Sequence, residues 1–246
     1  MLYYLSRLSD DFVAALVFMG AIATALLIGI CFHEFSHAFV ADSLGDRTPR
    51  SFGRVTLNPL AHLDPMGTIL MVIVGFGWGK PVPVNPNATR NPKQTLWMTA
   101  LAGPFSNFVV AAVAGLAIRL DVVPWVSPFD LLNFDLLSAT GWSNTEYLGL
   151  YLSSITLFSV ILGVFNLIPI APLDGFKVVA GLLPYEMSRS FLQLEPYGPI
   201  ILLILLLSTF LTGGQFAILF EVMDPFIRFF LQLFAGVGND PFVGGR

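Results

Sequence analysis

Cys31-Phe32-His33-Glu34-Phe35-Ser36-His37 lies inside an apolar run that begins near Phe12 and continues to Ala41. Helical residues turn by about 100° each, so His33 and His37 fall one turn apart on one face, where two imidazoles can reach one metal ion with Glu34 beside it as a base. That is the arrangement of a metal-dependent hydrolase. The same letters also occur in soluble helices that bind nothing, so the pattern alone leaves an ordinary helix open. The setting argues for a role: an ionisable group at the centre of a bilayer costs about 2 kcal/mol or more and is kept where it pairs or does chemistry.

Of the 246 residues, 55% are hydrophobic and 11% are charged, with a mean hydropathy of +0.77. Soluble domains carry about 25% charged residues, so this composition describes a polytopic membrane protein. A net charge of -4 without a basic tract excludes nucleic acid as a partner. The single cysteine, Cys31, excludes an internal disulfide; two positions before His33 it points to another face, as a small buried side chain rather than a ligand. No small-residue cleavage site ends the first apolar run, which reads as a retained span rather than a signal peptide.

The first helix is predicted from Asp11 to Asp42, about 48 Å at ~1.5 Å per residue, longer than a hydrocarbon core of about 30 Å. The segment 45–92 and the residue after it hold Arg47, Arg50, Arg54, Lys80, Arg90 and Lys93, six of the 12 basic residues, which places both its ends on the cytoplasmic side. Between them the apolar stretch Met66–Gly75 is too short to span and reads as re-entrant. Short strands are expected within Ser51–Leu57 and Gly79–Asn85, and Val55, Val82 and Val84 suggest an edge that could take up an unwound substrate as an added strand. His62 and Asp64 are open as extra ligands or as turn residues.

A second span is predicted from Gln94 to Ile118, with Gly103, Pro104 and Asn107 as helix-packing residues and Asn107 also able to hydrogen-bond across helices. The following loop, with Asp121, Asp130, Asp135 and Glu146, suits the non-cytoplasmic side. A third span, 147–183, is broken by Pro169 and Pro172, and Asp174-Gly175 follows the break. Backbone freed at membrane depth needs partners or a cavity, so a site is expected there. Two last spans, within 196–234, are expected to form a hairpin through Thr212-Gly-Gly-Gln215, with Glu221, Asp224 and Arg228 paired locally. The expected fold is therefore all-α: one integral membrane domain, 1–246, with about five full transmembrane helices plus a re-entrant segment carrying short β-strands.

Hydrolytic zinc sites take three protein ligands, two histidines and a carboxylate being a common set. His33 and His37 on the first span and Asp174 at the break supply that set at matching depth. Co²⁺ or Fe²⁺ would also fit such ligands. With these residues, the stretches Asn58-Pro59 to Asp64-Pro-Met-Gly-Thr68, Ala102-Gly-Pro to Asn107, and Asn166 to Leu173-Asp-Gly175, the chain resembles the site-2 protease family of intramembrane zinc metalloproteases, from the first span to about Leu183.

The resemblance implies that Asp174 is the third ligand, that Asn166 polarises the scissile carbonyl, and that a re-entrant β element lies beside the site. Asn166 as a cap for backbone freed by Pro169 stays open. No room is left for the PDZ or CBS domain of many relatives. The implied activity is hydrolysis of peptide bonds within or near transmembrane segments, as in regulated intramembrane proteolysis, with one Zn²⁺ per chain, Glu34 as base, and the bilayer and transmembrane proteins or peptides as partners. The implied location is the plasma membrane, multi-pass, with the site toward the cytoplasm. The alternative is a metal-ion or proton-coupled transporter built on the same His and Asp side chains.

Overall fold

The computed structural model describes residues 12–67, 79–128, 143–211 and 218–237. Helix α1, Phe12–Ser43, is the long apolar helix expected at the start. It stops where Gly45, at φ +106°, reverses the chain, with Gly45 N donating to Asp42 O and Asp46 N to Ala41 O. A single turn, α2, Thr48–Ser51, follows. Helix α3, Pro92–Arg119, starts with proline in its first position and the Asn91 side chain accepting from Gln94 N. Helix α4, Asn144–Asn166, opens on a capping box in which Ser143 and Glu146 satisfy each other's backbone.

The break after α4 falls where the prolines predict it. Leu167, Ile168, Ile170 and Leu173 donate to carbonyls two or three residues back, so the freed backbone is satisfied locally before α5, Asp174–Leu182, begins. Three further helices follow: α6, Tyr185–Leu192; α7, Gly198–Leu211; and α8, Ile218–Ala235.

Helices α1, α3 and α4 pack mutually, α5 docks on α3, and α8 lies across α3 and α4. Leu219, Met223, Ile227, Leu231 and Ala235, spaced four apart, form the buried stripe of α8. Four of them join Ala111 of α3 and Leu157, Val160 and Val164 of α4 in the largest apolar cluster. Lys93 Nζ donates to Leu183 O, which ties the start of α3 to the end of α5.

Among the described residues four helices are long and apolar enough to cross a membrane: Met19–Ser43, Pro92–Arg119, Asn144–Asn166 and Tyr185–Ser208. The chain is a multi-pass membrane protein. Among the described residues the expected count of five is not reached. The last apolar stretch extends back through α6 and the turn Glu195–Tyr197, whereas α8 carries Glu221, Asp224 and Arg228 within its 18 residues. Asp224 accepts from Arg228 at 2.7 Å, the local pairing expected there.

Among the described residues all regular structure is helical, and the expected short strands are not found. Ser51 closes α2, while Pro81, Pro83 and Pro86 have no N–H to donate to a ladder. What joins the two arms of the segment is a single antiparallel bridge between Leu63 and Gly79. Most of the re-entrant stretch, residues 68–78, and the connection Thr212–Gln215 lie outside the described residues.

The α8 stripe should be the anchor of the carboxyl-terminal part. Leu231→Ala, at a position with no exposure, is expected to destabilise the fold by about 2–5 kcal/mol in thermal unfolding. Leu233→Ala, on the open face and 50% exposed, is expected to change stability by less than about 0.5 kcal/mol.

Candidate active site

His33 and His37 of α1 stand one turn apart with ring centroids 4.6 Å apart and planes nearly perpendicular. Asp174, first residue of α5, places Oδ2 at 2.9 Å from His33 Nε2 and 3.2 Å from His37 Nε2. Gly175 makes this docking possible: a Cβ there would lie 2.1 Å from Leu167 O, so only glycine lets the start of α5 press against the end of α4. One nitrogen from each histidine and one carboxylate oxygen all lie within 4.8 Å of one another.

Two observations test whether this group suits a cation. Asp174 Oδ2 is buried and receives no hydrogen bond. His37 Nδ1 lies 2.6 Å from Thr99 O; a carbonyl only accepts, so Nδ1 carries the proton, and in the neutral imidazole Nε2 turns its lone pair toward Asp174. A bare lone pair facing a bare carboxylate oxygen repels it, and a divalent cation between them removes the repulsion. The residues fit zinc.

Helix α3 supplies the surroundings of both rings from one face. Thr95, Thr99, Gly103 and Asn107 are spaced four apart and all are buried. A Cβ on Gly103 would come within 2.5–2.7 Å of His37 Nε2, His37 Cε1 and His33 Cε1, so the rings occupy the space this glycine leaves open. One turn further on, the Asn107 amide nitrogen lies 3.2 Å from His33 Nδ1. The sequence reading took Gly103 and Asn107 as packing residues and made nothing of Thr99. The period-four stripe was visible in the sequence, but the Thr99 contact is made by a backbone carbonyl, which leaves no mark on residue type.

Glu34, beside the histidines, accepts from Val82 N at 3.2 Å. The segment that carries Val82 is held from both sides. Asp46, fully buried, accepts from Thr48 N at 2.9 Å and from Asn85 N at 2.6 Å. Lys80 N donates to His62 O, and the buried Arg54 guanidinium donates to Ala61 O and Lys80 O. Val82 N–H thus points inward to the carboxylate, and Pro81 and Pro83 offer no N–H to a neighbouring strand.

A cavity of about 250 Å³ is lined by His33, Glu34, His37, Asn166, Asp174 and Lys177, among others. Asn166 therefore joins the group that the sequence put together, although its Nδ2 donates back to Leu162 O at 2.9 Å within α4. Lys177, read from sequence as a mark of the cytoplasmic face, lies in the same wall. His62 and Asp64 are elsewhere and serve the loop: His62 Nε2 donates to Thr56 O, and Asp64 Oδ1 accepts from Gly67 N. Cys31 is buried with Sγ donating to Leu57 O, outside the ligand group.

Two histidines and a carboxylate with an adjacent glutamate, assembled from membrane helices around a cavity, are a group that could hold a metal ion, of the kind that hydrolytic zinc sites use. The chain is 30% identical over 216 residues to "Putative zinc metalloprotease YwhC" of Bacillus subtilis, across 88% of this chain and 93% of that protein. It is 30% identical over 233 residues to "Putative zinc metalloprotease Rip2" of Mycolicibacterium smegmatis, across 89% of this chain and 80% of the relative. A Mycobacterium tuberculosis protein of the same name is 29% identical over 230 residues. No family model and no solved structure matches the chain. The chain belongs to the site-2 protease family of zinc metalloproteases.

If Gly103 exists to clear the rings, Gly103→Ala should displace them and weaken zinc binding about tenfold or more, measured by chelator competition. Gly20→Ala, where an added Cβ meets nothing within 4 Å, should leave zinc affinity unchanged.

Proposed function

We propose that the chain is an intramembrane zinc metalloendopeptidase that hydrolyses peptide bonds within or next to transmembrane segments of other proteins, the chemistry of regulated intramembrane proteolysis. The observation that supports this best is the convergence of His33, His37 and Asp174 beside Glu34 at helices long enough to span a bilayer. His33, His37 and Asp174 would hold one zinc ion, which when bound would supply Lewis acidity and acidify water.

Glu34 acts as the base. Its carboxylate takes a proton from the attacking water and returns it to the leaving amine. In the resting structure that carboxylate is engaged by Val82 N–H, which fixes its direction toward the cavity. Asn166 donates to the scissile carbonyl. A side-chain amide has two N–H groups, so one can remain on Leu162 O while the second serves the substrate. Such a donor is worth about 3 kcal/mol in the transition state.

A helical substrate hides its carbonyls in its own hydrogen bonds and must unwind locally before it can reach Glu34. The clustering of basic residues in 45–93 orients the cavity toward the cytoplasm of a plasma-membrane protein. In this reading residues 1–246 form one membrane domain, with 45–92 as the re-entrant segment.

The test is cleavage of single-span membrane substrates by the purified protein in lipid vesicles. Wild type should cut within the span, chelation should abolish cutting, and Glu34→Gln should slow it by about 10²–10⁴-fold with zinc still bound. Cleavage indifferent to both treatments would sink the proposal. Zinc binding and ion flux without any cleavage would move the site to transport.

A further inference from the structure

Both histidines turn Nε2 to Asp174 and Nδ1 to α3, but the two Nδ1 atoms meet different groups. His37 Nδ1 meets the Thr99 carbonyl, which only accepts. His33 Nδ1 meets the Asn107 side chain, 3.2 Å from its Nδ2, while Oδ1 of the same amide is buried with no partner. Asn107 is 1% exposed, so that oxygen is shut off from bulk solvent.

The two ends of an amide have the same shape, and a half-turn about its last side-chain bond exchanges them in place. With Nδ2 toward His33, Nδ1 must be bare and the proton must sit on Nε2, facing Asp174 and blocking a metal ion. After the half-turn, Oδ1 accepts from Nδ1–H, the orphaned oxygen gains a donor, and both imidazoles share one tautomer with both Nε2 lone pairs on the Asp174 side. We propose that Asn107 is a positioning residue: its side-chain oxygen holds His33 in the tautomer and orientation that a zinc ligand requires.

This proposal rests on the zinc reading above and goes beyond it, because the spacing alone left Asn107 as a packing residue or a hydrogen-bonding group between helices, with no partner named. Partners on the second nitrogen of a metal-binding histidine fix its ring and raise its basicity, and their loss weakens metal binding about 10- to 100-fold. An asparagine used only for packing is replaceable by leucine, whose side chain has the same branching and number of heavy atoms.

The experiment uses the full chain in detergent with zinc as the only ligand. Asn107→Leu should bind zinc about 10- to 100-fold more weakly than wild type in chelator competition. Asn107→Asp, which can only accept when ionised, should restore affinity. Wild-type affinity in the leucine variant would overturn the proposal while leaving the zinc centre intact. The chain has three histidines, so nitrogen NMR of histidine-labelled, zinc-loaded wild type gives a second readout that needs no variant to fold. A protonated Nδ1 on His33 is expected, and a bare Nδ1 would overturn the proposal. Wild type that binds no zinc would overturn this proposal and the metalloprotease reading together.

Discussion

Two imidazoles and a carboxylate turned toward one point inside an apolar helix bundle are the demand that the rest of the structure meets. Left alone, such groups favour charge neutralisation or expulsion from the membrane interior. Here they are held by hydrogen bonds and by shape. The Thr99 carbonyl occupies one Nδ1 and the Asn107 amide faces the other. Gly103 and Gly175 are two places where a single methyl group would push the parts away from one another. Helix α3 is thus the template of the centre, although none of the three ligands lies on it.

The break after Asn166 has a second role beyond delivering Asp174. Were α4 to continue as a helix, residue 174 would lie about 12 Å beyond its end, at ~1.5 Å per residue. The turns through Leu167–Leu173 instead fold the chain back, so that α5 begins at ligand depth. The carboxylate then sits in the first turn of a helix, where exposed backbone N–H groups favour negative charge. On the opposite wall, Asp46 and Arg54 hold the Lys80–Asn85 segment over Glu34. The cavity is therefore bounded by spans on one side and by a stitched loop on the other.

Much of this was legible in the sequence because it rests on period and on proline. His33 and His37 follow from helical spacing, and Pro169 and Pro172 mark the break that brings Asp174 back. What escaped was carried by backbone or by clearance. Thr99 acts through its carbonyl, and Gly103 acts through the absence of a side chain. Asn107 was visible as a polar residue in an apolar span, but its neighbour on another helix was not. The strand expectation failed for a local reason: alternating valines suggested a ladder, yet the intervening prolines remove its donors, and Val82 N–H is turned to Glu34. The fifth span was read from the length of an apolar stretch, and α8 instead combines a buried stripe with three charges in 18 residues.

The division of the centre among three helices bears on how the protein is made. Residues of α1 enter the membrane first, but a histidine pair without the carboxylate is an incomplete cradle, and the rings have no template until α3 arrives. The third ligand is synthesised only after α4 has crossed and the chain has turned back. A ribosome-bound chain therefore carries no complete group of His33, His37 and Asp174 until α5 docks.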